Sequence, residues 1–138
     1  MHEDFFILGC LYRMTKELDW ATSRISAAYG LTFGQFAVLE ALNRKGALNV
    51  GEIKETILSS DGTVPVIIGN LIKMGLVTKT KNDEDRRYSI VELTDKGREI
   101  IQQVKPKNNQ MISDKFSVWT PEEKQILMVL LNKYRKSR

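Results

Sequence analysis

Apolar side chains recur at helical spacing along most of the chain. Residues 5–29 contain no proline and place Phe5, Leu8, Leu11 and Leu18 on one stripe, which predicts a long first helix. Thr32, followed three residues later by Gln35, forms a capping box, so a second helix is expected from there to about Lys45. These two segments predict a helical N-terminal third.

Two short helices and a hairpin are predicted next. Asn49 with Glu52 is a cap pair before a short apolar segment, and residues 59–62 form a polar turn before a fourth helix that runs to Met74. Two helices joined by a tight polar turn are typical of a helix-turn-helix. Residues 76–81 and 88–93 have the alternation of strands around a charged turn, which predicts a β-hairpin in the position of a wing.

Two further helices are expected at the C-terminus. The first begins at Thr94 and is expected to be kinked or interrupted at Pro106. Thr120, Pro121 and Glu123 form a strong helix start. The last helix is expected to bury its apolar residues, which are Ile126, Leu127, Leu130, Leu131 and Tyr134.

Composition excludes several classes of protein. The chain has 138 residues, of which 42% are hydrophobic and 28% charged, as in a soluble globular domain. The longest apolar run is far shorter than the ~20 residues of a membrane span. With one cysteine and with His2 as its only histidine, the chain offers no internal disulfide, no His/Cys metal cluster and no catalytic triad. We expect a cytoplasmic protein that is not an enzyme, has no cofactor and does not bind membranes.

The start of the fourth helix carries the first candidate DNA contacts. A recognition helix in the major groove exposes side chains to base edges, and short polar or methyl-bearing groups serve this purpose. The candidates are Ser60, Asp61, Thr63, Pro65, Val66, Asn70 and Lys73. Two of them have a second interpretation, since Ser60 and Asp61 are also suitable helix caps. For Asn70 the alternative is a solvated surface position.

The predicted wing carries the second set of contacts. Lys79 and Lys81 lie on its first strand, and Arg86 and Arg87 precede its second. Asp85 stands two positions before Arg87 and can hold that guanidinium in a fixed direction through a paired hydrogen bond. A fixed arginine suits a narrow, electronegative minor groove. The alternative for this segment alone is a solvated turn with local ion pairs.

These motifs resemble those of a known family. The sequence Leu31-Thr32-Phe33-Gly34-Gln35-Phe36-Ala37-Val38-Leu39, then Gly75-Leu76-Val77, Asp85-Arg86-Arg87 and Leu93-Thr94-Asp95-Lys96-Gly97 resemble, in order and spacing, the MarR family of bacterial regulators. The resemblance covers nearly the whole chain. It implies an obligate homodimer with intertwined terminal helices and a pseudo-palindromic operator. It also implies a repressor that is released by a small phenolic ligand or by thiol oxidation, with Arg87 in the minor groove and Asp85 orienting it.

Two further features have competing interpretations. Cys10 lies in the region where the thiol-based peroxide sensors of this family carry their cysteine, so it is a candidate redox sensor; the alternative is a small apolar residue at a dimer interface. Four aromatic residues are candidates for a pocket that binds an aromatic or phenolic effector, although aromatic residues at helical spacing also serve as core. They are Tyr12, Trp20, Phe33 and Phe36.

The sequence therefore predicts a mainly α fold with a small β-hairpin wing, a winged helix-turn-helix with N- and C-terminal dimerisation helices. Residues 32–93 form the winged helix-turn-helix DNA-binding lobe, and residues 5–29 and 98–136 form the dimerisation helices. The expected partners are double-stranded DNA, a second copy of the chain and a small aromatic effector. The alternative function is a winged-helix protein-interaction module without sequence-specific DNA binding.

Overall fold

The computed structural model describes residues 2–57, 63–81, 84–85 and 88–137. The helices in this part of the chain are α1 (His2–Ala27), α2 (Phe33–Lys45), α3 (Val50–Ile57), α4 (Val64–Lys73), α5 (Asp95–Phe116) and α6 (Pro121–Lys136). The strands are β1 (Leu48–Asn49), β2 (Val77–Lys81) and β3 (Ser89–Leu93). The predicted mainly α fold with a β-hairpin is confirmed.

Three helices begin at reciprocal cap pairs, as the sequence predicts. In each pair the first side chain accepts a hydrogen bond from the backbone N–H three residues on, and the second side chain accepts one from the first backbone N–H, at 2.8–3.2 Å. Each pair satisfies two N–H groups that a helix start otherwise leaves without partners. The pairs are Thr32–Gln35, Asn49–Glu52 and Thr120–Glu123.

The strands form one antiparallel sheet in the order β1-β3-β2. The predicted hairpin pairs Val77 with Leu93 and Lys81 with Ser89. Strand β1 was not predicted from the sequence. It is two residues long, too short to show an alternating pattern, and it exists because Leu48 pairs with Val91 in β3.

The chain divides into two compact units, residues 1–108 and residues 109–138. The core of the first unit is formed by apolar residues of α2, α3, α4, β3 and α5, each almost completely buried. It includes Leu39, Ile53, Ile68, Leu71, Val91 and Ile101. This core holds α4 by one side and leaves the other side of the helix exposed.

A buried polar contact joins α1 to α5 within the first unit. The Thr22 hydroxyl donates to the Asn108 side-chain oxygen at 2.7 Å, and both residues are buried. Ser26, one turn after Thr22, is also buried, and its hydroxyl has no hydrogen-bond partner among the described residues. The apolar stripe of α1 meets the core towards the end of the helix, where Ile25 packs against it, whereas Phe5 at the start of the stripe is 66% exposed.

The second unit contains the end of α5 and all of α6. The expected burial of the apolar residues of α6 is wrong for the single chain, because Ile126, Leu130, Leu131 and Tyr134 are each more than half exposed. Leu127 is half-buried, and no residue of α6 is fully buried. The apolar stripe is present as predicted, but within one chain nothing in the described structure covers it.

Helix α5 continues through Pro106 to Phe116, so the expected interruption does not occur. A proline removes one backbone hydrogen bond from a helix, which costs about 3 kcal/mol in an isolated helix. Here Ile101, Val104 and Asn108 are buried on either side of the proline. Their packing holds the backbone in helical geometry across the missing bond.

An ion pair also links α2 to α5. Glu40 accepts a hydrogen bond from the Arg44 guanidinium at 2.9 Å and lies 3.7 Å from the Lys105 ammonium group. The hydrogen bond from Arg44 to Glu40 raises the pKa of this guanidinium. Because Arg44 and Lys105 remain partly solvated, this network contributes little to the free energy of unfolding.

The segment after α4 is fastened to the start of α5, and we call residues 74–76 with residues 94–97 the α4–α5 junction. Gly75 has a φ of +76°, which reverses the chain at the end of α4, and its N–H donates to the Ile72 carbonyl at 2.9 Å. The Lys96 ammonium group donates to the Met74 carbonyl at 3.1 Å. A cation at the C-terminal end of a helix also interacts favourably with the helix dipole.

Thr94 and Gly97 complete this junction. The Thr94 N–H donates to the Leu76 carbonyl at 3.0 Å, and its hydroxyl donates to the Gly75 carbonyl at 2.7 Å while accepting from the Gly97 N–H at 3.0 Å. A Cβ atom on Gly97 would collide with the Leu76 carbonyl oxygen. Glycine at this position therefore permits the closest approach of α5 to the end of α4.

Replacing Gly97 with alanine is expected to lower the free energy of unfolding by about 3 kcal/mol, since backbone atoms of Leu76 would have to move. Guanidinium denaturation at a fixed protein concentration measures this loss. Gly51→Ala is the matched control in α3, where the added Cβ would meet only the Asn49 side-chain oxygen at 3.4 Å. Equal stability of Gly97→Ala and the parent protein would contradict the close contact.

Candidate nucleic-acid interface

One side of α4 is exposed and carries the predicted contacts. Val64, Ile68 and Leu71 are buried on the inner side of the helix. Thr63, Pro65, Val66, Asn70 and Lys73 are all exposed, and Val66 is 62% exposed although it is apolar. Ser60 and Asp61 lie outside the described residues, so their two interpretations stay open.

The charge of this surface is modest. Residues 63–73 contain no arginine, and Lys73 is their only basic residue. Lys73 stands in the last turn of α4, and exposed Lys79 and Lys81 follow on β2. The described surface therefore offers isolated cations that suit phosphate groups rather than a continuous basic patch.

The hairpin next to α4 has the predicted strands, and its turn is described in part. Lys79 and Lys81 are two residues apart, so they lie on the same side of β2. Asp85 is half-buried, and its carbonyl accepts a hydrogen bond from the Tyr88 N–H at 3.1 Å. Arg86 and Arg87 lie outside the described residues, so the pairing of Asp85 with Arg87 stays a prediction.

Contacts on its inner side and at its C-terminal end hold α4 in place. The inner side of α4 packs in the core with α2 and α3, and the α4–α5 junction fixes its C-terminal end. The sequence motif Leu93-Thr94-Asp95-Lys96-Gly97 predicted only a helix start. Its second role, in which Thr94 and Lys96 bind the carbonyls after α4, was missed. A threonine cap with glycine three residues on is the signal that could have indicated it.

Cys10 is exposed in the single chain. It shares a shallow depression on α1 with Phe5, Phe6, Gly9 and Arg13. An exposed thiol within an apolar surface fits either interpretation of this residue, contact with a second chain or reaction with an oxidant. Its role stays a prediction.

The four aromatic candidates for an effector pocket have different environments. Phe36 is part of the hydrophobic core, whereas Tyr12 and Trp20 are more than half exposed on α1. The Arg24 guanidinium lies 4.9 Å from the centre of the Trp20 ring, a cation–π distance. Phe33 is 38% exposed at the first position of α2. The pocket stays a prediction, and Phe36 has a structural role in the core.

The structure also bears on metal sites and membrane spans. In the described part of the chain, no group of three or more His, Cys, Asp or Glu residues is arranged to hold a metal ion. Among the same residues, no helix combines the length and the hydrophobicity that crossing a bilayer requires.

The sequence of this chain is similar to those of known transcription regulators. The sequence profile of the transcriptional regulator SarA/Rot family matches residues 21–104, which include α2 to α4 and the hairpin. The chain is 31% identical over 121 residues to the uncharacterized HTH-type transcriptional regulator YkoM of Bacillus subtilis, covering 88% of this chain and 79% of that protein.

Solved structures resemble the whole chain. A putative MarR-like transcription regulator from Bacillus cereus superimposes with a TM-score of 0.86 at 24% identity, covering 99% of both chains. BpsR of Bordetella bronchiseptica superimposes with a TM-score of 0.83 at 26% identity, covering 94% of this chain and 98% of that chain. The likeness to the Bacillus cereus protein, at 24% identity, shows that this chain has the same fold.

The profile match and the likeness to YkoM both concern transcription regulators, which confirms a regulator rather than an enzyme. The fold adds a helix-turn-helix whose second helix is exposed on one side and is followed by a hairpin. The chain belongs to the transcriptional regulator SarA/Rot family and is a DNA-binding regulator with the winged helix-turn-helix fold of MarR-like proteins.

Proposed function

We propose that this regulator is a repressor that binds a pseudo-palindromic operator as a homodimer, with α4 in the major groove and the tip of the hairpin in the adjacent minor groove. The exposed side of α4 carries this proposal. Its side chains are uncovered, while the core and the α4–α5 junction hold the helix by its other side and its end. A surface that is rigid and uncovered suits recognition of a rigid duplex.

The side chains of α4 suggest how bases are distinguished. Asn70 can make paired hydrogen bonds with adenine, and the exposed methyl groups of Val66 suit the methyl group of thymine. Guanine is usually contacted by arginine or lysine, and Lys73 is the only such residue in 63–73. We therefore expect an operator whose half-sites are rich in A·T pairs.

The hairpin supplies the second contact. Arg87 is proposed to enter the minor groove, with Asp85 holding its guanidinium, as the family resemblance implies. Asp85 is half-buried, and its backbone carbonyl accepts a hydrogen bond from Tyr88, just before β3. Both features limit the positions that its carboxylate can take. A·T-rich DNA has a narrow minor groove that attracts arginine, so this contact agrees with the expected operator.

Two apolar surfaces support the homodimer. On α1, exposed apolar side chains lie within the first three turns and are Phe5, Phe6, Ile7, Leu8 and Leu11. On α6, the exposed apolar side chains are Ile126, Met128, Val129, Leu130, Leu131 and Tyr134. Soluble proteins seldom expose such large apolar patches, and a two-fold axis buries each surface twice. Such a dimer presents two α4 helices to half-sites about 34–36 Å apart.

Release from the operator is proposed to follow the binding of a small aromatic effector or the oxidation of Cys10. In BpsR of Bordetella bronchiseptica, DNA binding is regulated by 6-hydroxynicotinic acid, which is a small aromatic acid. Exposed Tyr12 and Trp20 on α1 are the candidate contacts for such a ligand here. Exposed Cys10 supports the oxidative alternative.

Selection of bound duplexes from random-sequence DNA tests the function as a whole. The expected result is an A·T-rich consensus with two-fold symmetry. Repeating the selection with peroxide, and separately with aromatic acids, identifies which signal releases the protein. Failure to enrich any sequence would contradict the proposal and favour a protein-interaction module.

Replacing Leu130 with glutamate is expected to dissociate the dimer, because an unpaired carboxylate would be buried at its interface. We expect the dimer dissociation constant to rise by about 100-fold or more, since an unpaired buried charge costs several kcal/mol. Sedimentation equilibrium at micromolar concentration measures this change. The matched control is Lys133→Glu, an exposed polar position on the same helix. A parent protein that sediments as a monomer would rule out the dimer.

Replacing Arg87 with alanine is expected to weaken binding to the selected duplex by about tenfold or more, because the minor-groove contact is lost, and to leave dimerisation unchanged. Fluorescence anisotropy measures the affinity. Arg98→Ala serves as the control, since Arg98 is an exposed arginine whose side chain contacts Asp95.

The role of Asp85 is tested with the same assay. If Asp85 only orients Arg87, Asp85→Ala weakens binding in the parent protein but has no further effect in Arg87→Ala. Fully additive effects would contradict the oriented arginine, and affinity within twofold of the parent for Arg87→Ala would contradict the minor-groove contact.

Lys73 and Asn70 are expected to contribute differently to DNA binding, Lys73 to affinity for any duplex and Asn70 to sequence preference. Lys73→Ala should weaken binding to all duplexes alike and reduce the slope of log affinity against log salt by about 1.8, because each chain of the dimer loses one phosphate contact worth about 0.9. Asn70→Ala should leave this slope unchanged and relax the preference for adenine at one position. Titrations of selected and scrambled duplexes at several salt concentrations measure both effects. A salt slope that Lys73→Ala leaves unchanged would exclude the phosphate contact.

A further inference from the structure

Helix α4 contains a glycine that its own fold does not explain. Gly69 lies in the interior of the helix, where glycine costs about 1 kcal/mol relative to alanine. Its backbone is helical and does not require a positive φ. A Cβ atom built on it would meet no atom of the described chain within 4 Å. Neither backbone geometry nor internal packing therefore favours glycine here.

Gly97 shows the contrast within the same structure. There an added Cβ would collide with a backbone carbonyl, so the fold itself excludes a side chain. At Gly69 the fold has room for a Cβ atom, so alanine there would stabilise the helix. The reason for this glycine is expected to lie outside the single chain.

The position of Gly69 indicates what approaches it. It follows Val66 by three residues, precedes Lys73 by four and is adjacent to Asn70, so these residues surround it on the exposed side of α4. The proposed base contacts therefore flank a point at which the helix presents only backbone.

The two proposed base contacts next to this point, Val66 and Asn70, have short side chains. Val66 and Asn70 extend only two or three bonds from the backbone, unlike the arginine or lysine that usually reaches a guanine from a distance. Short side chains meet base edges only if the helix axis lies deep in the major groove. A missing Cβ at the centre of the exposed side permits that depth.

We infer that Gly69 is a specificity-determining contact at which the backbone of α4 lies against the floor of the major groove and brings Val66 and Asn70 to the base edges. This inference rests on the proposed role of α4 as the recognition helix. It assigns DNA recognition to a residue that has no side chain.

The test combines stability and affinity for the same variants of the full chain. Gly69→Ala is expected to raise Tm by about 2–6 °C, because alanine favours the helix. It is expected to weaken binding to the duplex selected by the parent protein by about tenfold or more, because a base contact is lost in each half-site. Gly69→Leu should keep the stability, since leucine is also a strong helix former, and should weaken binding further. Binding to a scrambled duplex should change less than twofold in both variants.

Gly51→Ala is the matched control. It replaces an exposed glycine in α3 by the same residue, with only the Asn49 side-chain oxygen at 3.4 Å, and is expected to leave the affinity for the selected duplex unchanged. Sedimentation equilibrium should show the same dimer for all variants.

Three results for Gly69→Ala would each overturn the inference: binding to the selected duplex as tight as that of the parent, a lower Tm, or equal weakening of selected and scrambled duplexes. Val66→Ala and Asn70→Ala show whether such a result contradicts only the role of Gly69 or also the proposed role of α4 in DNA binding. If these two variants lose affinity while Gly69→Ala does not, only the role of Gly69 is wrong. If none of the three changes affinity, α4 is not the recognition helix.

Discussion

The contact between Gly97 and the Leu76 carbonyl is the constraint on which the proposed DNA-binding surface depends. It permits the start of α5 to lie directly against the segment that ends α4. Thr94 then binds the Leu76 and Gly75 carbonyls, and Lys96 binds the Met74 carbonyl. Every carbonyl from 74 to 76 is thus held by one short stretch of chain. The end of α4 is therefore held by one backbone hydrogen bond, two side-chain hydrogen bonds and the close contact at Gly97.

The exact placement of α4 matters because its exposed side carries only one basic side chain, Lys73, for contacts with DNA. Its exposed side offers one lysine, one asparagine and short apolar groups, with a glycine at the centre. Short side chains tolerate little displacement, so their contribution depends on the precision with which the helix is placed. In the proposed complex, a close approach of α4 to the bases takes the part that long basic side chains have in other recognition helices. The arginine proposed for the hairpin is similar, because its contact with DNA depends on the direction in which Asp85 holds it more than on the net charge of the hairpin.

The two apolar surfaces on α1 and α6 are a second constraint. Their side chains are exposed in the single chain although their spacing is that of buried helices. Sequence periodicity correctly indicated that these stripes exist, but periodicity does not reveal which molecule covers them. The expectation that α6 is buried failed for the single chain for that reason. The same stripes support a second copy of the chain as the partner.

The sequence by itself determined the features that depend on residues three or four apart. The cap pairs such as Thr32–Gln35, the order of the helices, the strands of the hairpin and most of the exposed side of α4 were predicted, since neighbouring residues set helix starts and helix sides. Ile72, which the apolar pattern places on the inner side of α4, is instead 41% exposed. Its motifs also indicated the family. Only the tertiary structure decided what depends on distant contacts. These include strand β1, the continuity of α5 through Pro106, the buried Thr22–Asn108 hydrogen bond and the need for glycine at position 97. The physical reason is that each of these is created by a partner far away in the chain, and no local pattern records that partner.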